Sequence, residues 1–80
     1  MTLAADVVIG LDIGTTSSKA VARPAAHSGD AYVERPTPWH AGRCGQTEID
    51  PYLLLNLAVE LIGAAVREAE SKWGPVRVRA

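Results

Sequence analysis

From Val7 to Ile13 the chain reads Val-Val-Ile-Gly-Leu-Asp-Ile, a nearly continuous apolar run rich in β-branched residues. Such a run predicts a strand buried on both faces. Gly14-Thr15-Thr16 is a turn signal, and Ser18-Lys19-Ala20-Val21-Ala22-Arg23 reads as a second strand, so the two are expected to form a hairpin. Pro24 to Asp30 reads as a loop. A third strand is expected at Ala31–Arg35, ended by Pro36 and Pro38. Trp39 to Ile49, polar and containing Gly42 and Gly45, reads as another loop. Asp50-Pro51 then supplies an N-cap carboxylate followed by proline at the first helical position. The helix is expected from Pro51 to about Lys72, with Leu54, Leu57, Ala58, Leu61, Ile62, Ala65 and Ala69 on one face at 3.6-residue spacing. Glu68 and Lys72 stand four apart, the spacing of a helical ion pair. Gly74-Pro75 ends the helix, and Val76-Arg77-Val78-Arg79-Ala80 alternates like a final strand. The predicted order is β-β-β-α-β: three antiparallel strands, a crossover helix and a fourth strand parallel to the first.

Composition narrows this picture. Eighty residues allow one small domain at most, and a domain of that size buries a modest share of its surface. The single cysteine, Cys44, rules out an intramolecular disulfide. A hydrophobic fraction of 48% argues against disorder. Formal net charge is −1 with no basic block, which argues against a nucleic-acid partner held by its phosphate backbone. No apolar run has the length of a membrane span, so no membrane partner is expected. Asp6 and Asp12 interrupt any leader-like apolar segment. With a lone thiol, that favours the cytoplasm. The last alternating residues stop where more sheet would be expected. The 80 residues are therefore expected to be the N-terminal part of a longer protein, marginally stable by themselves.

The chemistry concentrates in Asp12-Ile13-Gly14-Thr15-Thr16-Ser17-Ser18-Lys19. An apolar strand delivers a carboxylate near its end, then come a glycine, four hydroxyl residues and a cation. Glycine lets backbone approach a ligand closely, and a tight turn can aim several N–H groups into one concavity suited to phosphate oxygens. Strand alternation sends Ser17 and Lys19 to one side and Ser18 to the other. Lys19 could offset phosphate charge. Asp12 would repel phosphate directly but could hold Mg²⁺, itself or through water. A plain hairpin whose hydroxyls satisfy local backbone groups is the simpler alternative. A carboxylate unpaired in a buried strand is costly, and that weighs toward function.

The stretch Ile9 to Val21 resembles the first phosphate motif of the superfamily of sugar kinases, heat-shock-70 proteins and actin. Within it, the chain is most similar to the FGGY carbohydrate kinases. Gly45-Gln46-Thr47-Glu48-Ile49-Asp50-Pro51 resembles the Gly-Trp-x-Glu-x-Asp-Pro segment that precedes the first helix of that family, with Gln46 where tryptophan is usual. The resemblance spans essentially the whole chain. It implies an α/β ribonuclease-H-like (actin-like ATPase) fold, of which residues 1–80 would be the N-terminal part of the first of two domains around a cleft. It implies an ATP- and Mg²⁺-dependent phosphotransferase acting on a sugar or polyol hydroxyl. By position, Gly14, Thr15, Thr16, Ser17 and Lys19 map onto the nucleotide-phosphate contacts. Asp12 maps onto the aspartate associated with Mg²⁺ and the transferring phosphoryl group. The catalytic base, the adenosine site and the main sugar contacts of the family lie beyond these residues, so the 80 residues alone are expected to be inactive. A homo-oligomeric parent is left open.

Two other classes compete. A ribonuclease-H-like nuclease or resolvase also carries a metal-binding Asp on its first strand, but it needs further carboxylates and usually a basic surface. A chaperone or filament ATPase of the same superfamily lacks the segment from Gly45 to Pro51. Glu48 and Asp50 are explained by helix capping and favourable charge at the helix start. Cys44 reads as an ordinary loop thiol, His27 and His40 as solvated loop residues, and Trp73 as an anchor seating the helix end on the sheet. Trp39 with His40 could edge a substrate cleft. Leu53-Leu54-Leu55 reads as helix core with some exposure.

Overall fold

The computed structural model describes residues 4–41 and 47–79; for His40, Ala41, Thr47 and Glu48 only the backbone is described. Cys44, Gly42, Gly45 and Gln46 lie outside the described residues, and with them the first part of the Gly45 to Pro51 segment.

Strands β1 (Ala5–Ile13), β2 (Ser17–Pro24) and β3 (Ala31–Pro36) form an antiparallel meander. Two short strands follow, β4 (Trp39–Ala41) and β5 (Thr47–Ile49), then helix α1 (Pro51–Trp73) and strand β6 (Val76–Val78). Strand β6 returns beside β1 in parallel, pairing Ala5 with Val76 and Val7 with Val78. The main sheet therefore has the order β3-β2-β1-β6 with α1 as the crossover. The segment expected as a loop between Trp39 and Ile49 differs from that reading, because β4 and β5 pair antiparallel as a separate two-stranded ladder. Three residues per strand are too few for alternation to stand out in the sequence.

Register explains which side chains are buried. On the helix-facing side of the sheet, Val7, Ala20, Ala22 and Ala31 pack beneath Leu57, Leu61, Ala65 and Ala69, with Ile9, Val33, Trp73 and Val76 around them. Five of those eight buried residues are strand or helix alanines that let backbone approach backbone, and Leu61 is the largest fully buried side chain. The opposite side of the sheet bears no helix among the described residues. There Val8, Gly10 and Asp12 of β1 stand opposite Arg23, Val21 and Lys19 of β2, and Val8 is 55% exposed. The expectation that β1 is buried on both faces is thus corrected. A continuous apolar run is compatible with either case, and here only one face is covered. The helix face also shifts from the reading: Ala64 is buried and Ile62 is exposed.

The helix ends follow their sequence signals. The Asp50 carboxylate accepts a hydrogen bond from the Tyr52 backbone N–H at 2.8 Å, with Pro51 filling the first turn. At the other end Gly74 takes φ 77°, a left-handed value that disfavours a side chain, and its N–H donates to the Glu70 carbonyl at 2.9 Å. Lys72 does not pair with Glu68. Its Nζ donates instead to the Asp30 carbonyl at 2.8 Å, tying the helix end to the β2–β3 loop. Trp73 seats the helix end as expected, half-buried against the core. His27, expected as a plain solvated residue, stacks on Trp73 with ring centroids 6.0 Å apart.

Candidate phosphate-binding loop

Residues Gly14, Thr15 and Thr16 connect β1 to β2, and none takes a positive φ. The turn is therefore not one of the primed two-residue hairpins. Gly14 is needed for space instead: a Cβ there would lie 2.6 Å from the Ser17 carbonyl oxygen. The same close approach lets the Gly14 N–H donate to the Ser17 carbonyl at 3.1 Å.

The segment after β3 fixes the loop from one side. Thr37 Oγ1 donates to the Gly14 carbonyl at 2.7 Å, the Thr37 N–H donates to the Thr16 carbonyl at 3.2 Å, and the Trp39 indole N–H donates to the Thr15 carbonyl. All three loop carbonyls are thus turned toward residues 37–39 and satisfied there. The N–H groups of Thr15 and Thr16 have no acceptor among the described residues, and both residues are exposed. The loop presents amide donors and two hydroxyls to solvent while its acceptors point inward, which is the polarity an anion requires.

Ser18 belongs to this inward support. It is fully buried, with its Oγ 2.8 Å from Thr37 Oγ1. A hydroxyl has one proton, and Thr37 commits its proton to Gly14, so Ser18 donates and Thr37 accepts. Every buried side-chain N or O among the described residues has a partner. Ser17 and Lys19 point to the open face, as alternation predicts. On that face Asp12, Lys19 and Glu34 form a row across β1, β2 and β3 by direct register. Asp12 is exposed, so the desolvation argument made for it from sequence does not apply, since the open side of the sheet leaves it in water. Lys19 closes no contact ion pair with either carboxylate among the described residues.

Glu34 was not singled out by the sequence, where it is one more strand charge. Its carboxylate accepts from Ser17 Oγ at 2.5 Å and from the Tyr32 hydroxyl at 3.0 Å. Those hydrogen bonds, with the charge of Lys19, hold it below the usual carboxylate range. Beside it a depression of about 430 Å³ is lined by Thr16, Ser17, Glu34, Arg35 and Pro36. The Arg35 guanidinium is engaged elsewhere, on Glu60 at 3.2 Å and on the Glu34 carbonyl at 2.9 Å. Trp39, which from the sequence could edge a substrate cleft, braces the loop through its indole N–H.

Magnesium was expected with the nucleotide. No group of three or more His, Cys, Asp or Glu side chains suited to a metal exists among the described residues, so a protein-built metal cage does not fit. The donor set here, one exposed carboxylate at Asp12 beside an amide-lined loop, does fit an ion carried largely by phosphate oxygens and water. No helix among the described residues is long and apolar enough to cross a membrane. No family model, curated protein or solved structure matches this chain.

Proposed function

We propose that this chain is the phosphate-gripping part of an ATP-dependent carbohydrate kinase, an enzyme that transfers the γ-phosphoryl group to a sugar or polyol hydroxyl. The observation that carries the reading is the polarity of the 14–16 loop. Its three carbonyls are held by Thr37 and Trp39, and the Thr15 and Thr16 amides and hydroxyls are left to face an anion. Lys19 adds a cation on the open face, next to Asp12 in register. The antiparallel meander with a helical crossover to a parallel neighbour of β1 is compatible with the ribonuclease-H-like fold implied by the resemblance. It supports the FGGY assignment without being peculiar to it.

In this reading Thr15, Thr16 and Ser17 orient phosphate oxygens, Gly14 permits their close approach, and Lys19 offsets their charge. Asp12 would hold Mg²⁺ brought by the nucleotide, directly or through water. The ion's contribution, when bound, is to neutralise charge on the phosphoryl oxygens. Phosphoryl transfer also needs an acceptor-activating group and a sugar pocket, which the resemblance places outside these residues.

The test is a titration of the ¹⁵N-labelled chain with MgATP. Chemical-shift changes centred on the Thr15, Thr16 and Ser17 amides are expected, with Thr16→Ala and Lys19→Ala weakening them. Unmoved loop amides at millimolar MgATP would overturn the proposal. The chain mixed with MgATP and a panel of sugars and polyols is expected to release no ADP.

A further inference from the structure

We infer that Glu34 makes the loop selective for magnesium-complexed over metal-free phosphate, because it holds the Ser17 hydroxyl and sets a second carboxylate beside Lys19. This rests on the phosphate reading above and deepens it.

The hydroxyl comes first. Ser17 has one proton, and it is donated to Glu34 Oε2 at 2.5 Å. While that bond stands, Ser17 turns only lone pairs toward an approaching anion. The carboxylate cannot swing away freely, because the Tyr32 hydroxyl donates to its other oxygen at 3.0 Å. A phosphate anion entering beside Thr16 and Ser17 must therefore either displace Glu34 from Ser17 or do without that donor.

Charge acts in the same direction. Asp12, Lys19 and Glu34 are direct cross-strand neighbours on the open face. The row carries two negative charges against one positive. Arg35, the other cation near the depression, is directed onto Glu60 and the Glu34 backbone. A bare polyphosphate meets net repulsion from this row. A polyphosphate carrying Mg²⁺ brings a cation that two carboxylates favour. Glu34 then ceases to compete for the site and becomes part of its complement.

The experiment is isothermal titration of the chain with inorganic tripolyphosphate, with and without Mg²⁺, in wild type and in Glu34→Gln. Wild type is expected to bind the magnesium form more tightly. E34Q removes the charge and weakens the hold on Ser17. It should bind the metal-free form about three- to tenfold tighter, as the loss of one nearby like charge in a solvated site implies. The magnesium form should gain less, so the ratio of the two affinities narrows. Glu34 is exposed, and circular dichroism would show whether the fold is retained. Glu34→Ala is a second variant with the same expected narrowing. An unchanged ratio in both variants, with wild type binding normally, would overturn this inference and leave the phosphate reading standing. Failure of wild type to bind either form would overturn both.

Discussion

Gly14 and Thr37 set the loop by opposite means, one by lacking a side chain and the other by using its hydroxyl as both donor and acceptor. An alanine at Gly14 would press its methyl against the Ser17 carbonyl, 2.6 Å away. Gly14→Ala should cost about 1–3 kcal/mol of stability, the usual range for overpacking. Urea denaturation would measure it, and a mutant as stable as wild type would show that the turn can open without penalty. Thr37→Val keeps the shape and removes the hydroxyl, leaving the buried Ser18 and the Gly14 carbonyl without their partner. A loss of about 1–3 kcal/mol is expected. Ser18→Ala in the Thr37→Val background should cost less than Ser18→Ala alone, because the two hydroxyls act as one unit. The Gly-Thr-Thr-Ser-Ser-Lys run is visible in the sequence as a candidate anion loop. Its brace is not. Thr37 and Trp39 lie more than twenty residues away from the carbonyls they hold, and no local pattern connects a threonine after a proline with a turn two strands earlier. Glu34 was missed for the same reason, since its importance comes from register with Ser17 and Lys19 rather than from its neighbours in the chain.

At the scale of elements, the long helix and the first three strands were legible because each carries a local signal. Asp50-Pro51 marks the start of α1, Gly74-Pro75 its end, and the apolar spacing between them its buried face. Asp50→Ala should lower stability by about 1 kcal/mol through loss of the cap, readable as a lower midpoint in thermal or urea unfolding. Asp50→Asn should restore most of it, because asparagine caps nearly as well. What local signals could not supply was how many faces are covered and how far along each strand the cover reaches. Val8, Leu11 and Ile13 read as core, yet each is 40% exposed or more. Tyr52, Leu55 and Val59 of α1 are likewise exposed. Hydrophobicity tells which residues favour burial, whereas the elements available in space decide which of them obtain it. The pairing of β4 with β5 escaped for want of length.

Across the whole molecule, exposed ion pairs join Arg35 with Glu60 and Arg77 with Asp6, which are distant in sequence, and Arg23 with Asp30 across the β2–β3 loop. The Arg77 hydrogen bond holds Asp6 below the usual carboxylate range, and Arg23 does the same for Asp30. A carboxyl group whose folded value is depressed stabilises the fold above its unfolded value and loses that contribution as pH falls through the folded one. Stability should therefore be level through neutral pH and decline below the ordinary carboxylate range. The decline should be shallow, because exposed pairs contribute little. Unfolding midpoints measured from neutral to acidic pH would test this, with Asp6→Asn making the acid limb shallower. A steep loss of stability near pH 6 would point to a different group.

Strand β6 has a further consequence, for the order of events in folding. Its partner β1 is made well before it, and the Asp6–Arg77 contact spans 71 residues. The β1–β2–β3 meander can form from neighbouring segments, but the pairing of β1 with β6 must wait for a segment that follows the whole of α1. At synthesis rates of about 5–20 residues per second that wait is roughly 4–14 s. Throughout it, one edge of β1 has its backbone groups unpaired and is open to capture by another chain. Nascent copies on crowded ribosomes, more than the finished protein, are where misassembly of this sheet would begin.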